Sequence, residues 1–167
     1  MRWFLFLFHC SISFSGFCQP EMIGSFTDLM GALKSGHEVR VVIHYAQCRQ
    51  EAGDADTTPV PDVSASLKID TWEFFSRNAI GNPMAFVVFS EYKLISHPKK
   101  EQYLYNYGKI KVFENNTATV DARYIHPRTF RTMMKQQYQC TIRDGSTAGG
   151  IEFSKYETDG YEDNAEG

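Results

Sequence analysis

The chain has 167 residues, 43% of them hydrophobic and 14% aromatic, with 17 basic against 20 acidic side chains and a net charge of −3 at pH 7. That length fits one domain able to bury a core. The small acidic excess, with no basic patch beyond Lys99 and Lys100 and the pair Arg128/Arg131, argues against nucleic acid and anionic membrane as partners, and no apolar run reaches the about 20 residues of a bilayer-spanning helix.

Residues 1–18, MRWFLFLFHCSISFSGFC, read as a secretory signal peptide. Arg2 supplies the positive start, residues 3–8 an apolar run, and Gly16 and Cys18 the small residues of a cleavage site before Gln19. A cut after Ser15 is the competing site, but it leaves Cys18 unpaired in an oxidising compartment. The mature chain is therefore expected to be secreted and extracellular.

Residues 25–48 follow as helix, turn and strand. Phe26, Leu29, Met30 and Leu33 fall on one helical face. Ser25 is a good N-cap, with Asp28 in the position a capping box gives to Glu. Gly36 stands where a left-handed residue ends a helix. Val39, Val41, Ile43 and Tyr45 then alternate with Arg40, Val42 and His44, the period of a strand. Cys48 opens the polar loop 49–61, where Glu51, Asp54 and Asp56 lack the glycine and distal glutamate of a calcium loop.

From 66 the chain is strand-like. Residues 67–75 (LKIDTWEFF) form the second strand candidate. Residues 84–95 (MAFVVFSEYKLI), the longest apolar run, are placed centrally in the sheet. Residues 102–107 carry Tyr103, Tyr105 and Tyr107 at period 2, and 109–113 continue past Gly108, a candidate bulge. Residues 109–125 read as a hairpin turning at Glu114-Asn115-Asn116. After Pro127, the stretch PRTFRTMMKQQ brings Phe130, Met133 and Met134 to one side of a short helix, and 138–142 (YQCTI) return as a strand. The expected fold is α+β: an N-terminal helix packed on an antiparallel sheet of about six strands, open or barrel-like, with a second short helix near the C-terminus. The domain spans 19–144, and 145–167 form a flexible acidic tail in which Ile151 and Phe153 are the residues able to attach.

Several residues could carry chemistry. Two cysteines left after signal removal, Cys48 and Cys140, are most simply a disulfide. Closing a loop of about 90 residues would stabilise the fold by roughly 4–5 kcal/mol on the chain-entropy argument. The alternative is a reactive thiolate paired with His44 or His126, but Ala46-Gln47-Cys48-Arg49 is not a papain-like signature. Asn115-Asn116-Thr117 is a glycosylation sequon on an exposed turn. The histidines have no metal-ligand spacing, and no cofactor motif is present. His44, on the mixed face of the first strand, is the candidate around which a hydrolase site would be built. The aromatic residues Trp72, Phe74, Phe86, Phe89, Tyr103, Tyr105 and Tyr107 lie on neighbouring strand candidates. They read as core or as the wall of a ligand cavity, with Tyr103, Tyr105, Tyr107, Trp72 and His44 as its lining.

The pattern Phe26-x-x-Leu29-x-x-Ala32-Leu33-x-x-Gly36-x-x-Val39, then Val41-Val42-Ile43 and Cys48, and later Tyr138-x-Cys140-x-Ile142, resembles the VirK protein family over about residues 25–144. The resemblance implies export, a small single domain and a cysteine pair. It carries no catalytic residue, because the family's biochemical role is undefined. The expectation is a secreted, disulfide-stabilised, non-enzymatic binding domain for an extracellular protein or a small apolar or aromatic ligand. A hydrolase centred on His44 is the competing reading.

Overall fold

The computed structural model describes residues 20–51, 62–97, 101–146 and 148–156. The expected signal peptide at 1–18, most of the polar loop 49–61, residues 98–100 of the following turn and the tail from 157 lie outside the described residues.

Two antiparallel sheets face each other across one core. The smaller has the order β1 (Glu21–Ile23), β10 (Ile151–Tyr156), β2 (Glu38–His44), β4 (Ser64–Lys68). The larger runs β3 (Arg49–Gln50), β9 (Thr132–Thr141), β8 (Thr117–Ile125), β7 (Tyr103–Phe113), β6 (Phe86–Ser96), β5 (Glu73–Phe75). The helix α1 (Phe26–Lys34) is the only α-helix among the described residues. Val39, Val41 and Ile43 of β2 and Ile151 and Phe153 of β10 belong to the same buried cluster as Phe89, Ile110 and Val120 of the larger sheet. Phe89 meets Phe153 across the interface edge-on, with ring centroids 6.4 Å apart.

Local signals explain the front of the chain. Ser25 Oγ accepts from the Asp28 amide at 3.2 Å, which satisfies one of the helix's orphan donors. Gly36 ends the helix at φ 76°. Phe26, Leu29, Met30 and Leu33 are all buried. The Phe26 amide donates to Asn116 Oδ1 at 2.8 Å, so the helix start is tied to the turn between β7 and β8. The helix therefore closes the end of the sandwich at which that turn lies.

The expected α+β architecture is overturned. The fold is mostly β, with two sheets instead of one helix-covered sheet and, among the described residues, no closed barrel and no second α-helix near the C-terminus. The stretch read as a C-terminal helix is a loop followed by β9. Tyr124 pairs with Met134 and Ile125 with Thr132, so Met133 is the extra residue of a bulge. The spacing of Phe130, Met133 and Met134 mimicked one face of a helix.

Residues 67–75 are not one strand. The chain leaves the smaller sheet after Lys68, crosses through buried Ile69, and enters the larger sheet at Glu73. The long apolar strand β6 lies one place from the edge, because only three-residue β5 flanks it. Residues 151–156, assigned to the tail, are β10, sandwiched between β1 and β2 with Ile151 and Phe153 fully buried.

Candidate functional site: the outer face of the six-stranded sheet

Cys48 and Cys140 are bonded, with Cα atoms 4.6 Å apart and a separation of 92 positions in sequence. Both are buried. The bond removes the thiolate that a nucleophilic cysteine would need. Its surroundings are tight. A Cβ on Gly150 would lie 2.3 Å from Cys48 Sγ, and one on Gly149 within 2.6 Å of the Thr141–Arg143 backbone. The Tyr45 and Tyr138 rings meet at a tilt of 55° with centroids 4.7 Å apart, and burial pushes both phenols above their ordinary pKa. The pair of glycines was the sequence signal for this close approach, and it was absorbed into the supposed tail.

The remaining sequence candidates separate. His44 stands on the outer side of the smaller sheet, where Nδ1 is 3.0 Å from Oγ of its cross-strand neighbour Ser64. The His44 backbone amide donates to Gly150 O at 2.8 Å. His126 Nδ1 accepts from the amides of Arg128 and Thr129, which gives it a turn-forming role. Trp72 packs against the core between β4 and β5. Among the described residues, no group of three His, Cys, Asp or Glu side chains could hold a metal ion, and no helix is long and apolar enough to cross a membrane.

Tyr103, Tyr105 and Tyr107 do share one surface, and it faces away from the core. Side chains alternate along β7: Leu104, Ile110 and Val112 are fully buried on the inner side, while Tyr103 is 67% exposed. The register places Tyr92 opposite Tyr107 and Leu94 opposite Tyr105. Tyr92, 69% exposed, and Leu94, 55% exposed, therefore join the tyrosines on the outer face. Tyr92 meets Tyr105 edge-on at 5.7 Å.

Cations lie among the rings. Arg123, opposite Tyr107, holds its guanidinium 5.8 Å from that ring's centre while gripping Asp121 with Nε and Nη2 at 2.7 and 2.5 Å. The hydrogen bonds from Arg123 keep the Asp121 carboxyl below its usual range. Lys111 sits 4.3 Å above the Phe86 ring. Beyond the sheet's end, the loop from β8 to β9 presents Phe130, 72% exposed at φ 53°. The Phe130 amide donates to His126 O and the His126 amide to Arg131 O, both at 2.9 Å, which pins a strained backbone in place.

Tyr92, Leu94, Arg123 and Phe130 were not among the sequence candidates. The alternation of Tyr92 and Leu94 with Glu91 and Lys93 was legible, but the preceding FVVF, buried on both faces, hid it inside one apolar run. Nothing in the sequence marked Phe130.

The tyrosines do not enclose a cavity. A cleft between the sheets near Tyr45, Ser66, Glu91 and Asn106 holds about 100 Å³, below the roughly 300 Å³ of a small-ligand site. A wider groove of about 520 Å³ lies beside Arg49, Phe113 and Gln139, toward the opposite end of the outer face. At that end Asn115 is exposed, and its Oδ1 accepts from Thr117 Oγ1 at 2.7 Å.

The model of the VirK protein family matches residues 22–130, ending before Cys140. The crystal structure of a VirK family protein from Legionella pneumophila is similar, with a TM-score of 0.61 at 14% identity, covering 79% of this chain and 97% of that one. The likeness is one of fold. No curated protein matches.

Proposed function

The chain belongs to the VirK family, and we propose that it is an exported, non-enzymatic domain that binds a protein through the outer face of its six-stranded sheet. The carrying observation is the group Tyr92, Leu94 and Tyr103, each more than half exposed on a rigid strand pair. Folding leaves these side chains in water, where burying them against a partner is favourable. Tyrosine and arginine are enriched in protein interfaces, and a flat face suits a protein better than a small molecule. Arg123, held by Asp121 beside Tyr107, loses little freedom on binding.

The hydrolase reading lacks support of this kind. His44 and Ser64 form a pair without a carboxylate partner for His44 among the described residues, across the neighbouring strands β2 and β4 of the smaller sheet. A serine nucleophile needs an oriented base and a site shielded from water.

Export rests on residues 1–18, and the buried Cys48–Cys140 bond suits an oxidising compartment. In a eukaryotic secretory host Asn115 would carry a glycan. A mass shift removed by deglycosylation checks this, and an unmodified secreted chain refutes it.

A photo-crosslinking residue placed at Tyr103 tests the binding face against the same residue at His44. Adducts with an extracellular protein are expected from position 103 and not from 44. Equal yields, or adducts from 44 alone, overturn the assignment.

A further inference from the structure

The strand register sets the outer face in rows. Leu94, Tyr105 and Ile125 form an apolar row across β6, β7 and β8. The next row runs Tyr92, Tyr107, Arg123, Lys135, and so changes from aromatic to cationic within four strands. Lys109 and Lys111 follow along β7, about 7 Å apart on the same side.

These charges do not cancel. The four cations are the basic residues of β7, β8 and β9, and Asp121 is the one acidic residue on those strands. Arg123 takes up Asp121. Lys109 and Lys135 form no ion pair among the described residues, although their charges add to the Arg123 hydrogen bonds in lowering the Asp121 carboxyl. Lys111 rests on the Phe86 and Phe113 rings instead of on a carboxylate. At the margins, Arg49 and Glu51 both bind Gln139 and offset each other, and Glu73 stands on β5, two strands from Lys111. A basic surface thus adjoins an apolar one on a chain whose net charge is −3. No basic run marks it in the sequence, because its cations come from three strands.

Taking the outer face as the protein-binding surface, we propose that its partner presents carboxylates beside apolar side chains, and the assignment rests on that reading. Carboxylates would meet Lys109, Lys111 and Lys135, and apolar groups would cover Tyr92, Leu94 and Tyr103. A nucleic acid or an anionic glycan would use the cations and the rings, but would leave aliphatic Leu94, 55% exposed, without an apolar neighbour.

Fluorescence anisotropy of the full chain with a labelled glutamate–tyrosine copolymer tests this, with polyglutamate, heparin and single-stranded DNA as comparisons. The copolymer should bind at least about tenfold more tightly than each of the three, and raising salt from about 50 to about 500 mM should weaken it about tenfold. Lys109→Glu with Lys135→Glu should weaken binding at least about tenfold, and Lys68→Glu with Lys155→Glu, on the smaller sheet, less than about twofold. If the first pair lowers the yield of folded protein, Lys109→Gln with Lys135→Gln should still weaken binding about threefold. Equal losses from the two sheets, binding indifferent to salt, or tighter binding of heparin or DNA would overturn the proposal. Absent copolymer binding with crosslinking from position 103 intact would reject the acidic partner and keep the binding face, whereas loss of both would reject the face as well.

Discussion

At one end of the sandwich, the Cys48–Cys140 bond, the close approach of Gly149 and Gly150, the paired Tyr45 and Tyr138 rings, and the Asn116 side chain on the helix start tie the chain together. At the other, β6 to β9 carry Tyr92, Leu94, Tyr103 and Phe130 into solvent. The first end is over-determined: a covalent bond, backbone contacts and hydrogen bonds fix the same few residues. The second is rigid but unsatisfied, since its strands are held in the sheet while Tyr92, Leu94 and Tyr103 remain more than half exposed. Cohesion is concentrated at one end and the surface available for recognition at the other. Substitutions at the two ends should therefore separate stability from binding.

The largest effect should come from breaking the disulfide. Cys48→Ala with Cys140→Ala should cost about 4 kcal/mol in urea unfolding, because a loop spanning 92 residues regains its freedom in the unfolded chain. A loss below about 1 kcal/mol would mean that the glycine and tyrosine packing holds this end without the bond.

Gly150→Ala comes next. Its Cβ would press on Cys48 Sγ at 2.3 Å and on the Gln47 backbone at 3.1 Å, and the overpacking should cost about 2–3 kcal/mol. Loss of stability in a thermal melt with Tyr103 crosslinking intact would sharpen the division between the ends.

Phe130→Gly works in the opposite sense. Relief of a left-handed phenylalanine should raise stability by about 1 kcal/mol, while removing an exposed ring beside the binding face. A destabilised variant would show that Phe130 is held by packing and not displayed.

The smallest effect is an alkaline one at the packed end. Tyr45 and Tyr138 have phenol pKa values raised by burial. Their contribution is fully present below the ordinary tyrosine pKa of about 10 and is lost as pH rises through the higher folded values. Tyr138→Phe should flatten that loss in chemical unfolding measured across the alkaline range. An unchanged slope would show that Tyr138 ionises as freely as in the unfolded chain.

Elements with a strong local code were legible. Ser25, the Phe26–Leu33 spacing and Gly36 specified α1, and the alternation Val39-Val41-Ile43 specified β2. The hairpin turning at Asn115 and Asn116 was equally clear, because asparagine tolerates the φ of 65° found at Asn116. Residues whose meaning depended on distant partners were misread. IEFSKY looked like part of an acidic tail, yet it fills the gap between β1 and β2. Met133 and Met134 looked helical, but β8 drew them into a bulged strand. Of the candidate site, the three tyrosines could be placed on a common face, but the side of the sheet they occupy could not.

The sequence by itself determined the position of the capped helix, the alternating strands around it, and two cysteines whose simplest fate is one bond. These are decided within a few residues by caps, periodicity and composition. Only the tertiary structure decided that the strands divide into two sheets, that β10 completes the smaller one, and that Tyr103, Tyr105 and Tyr107 point outward. A strand's period defines two faces but does not say which is buried. That choice depends on the opposing sheet, and here the apolar inner residues Leu104, Ile110 and Val112 took the core and left the tyrosines to water.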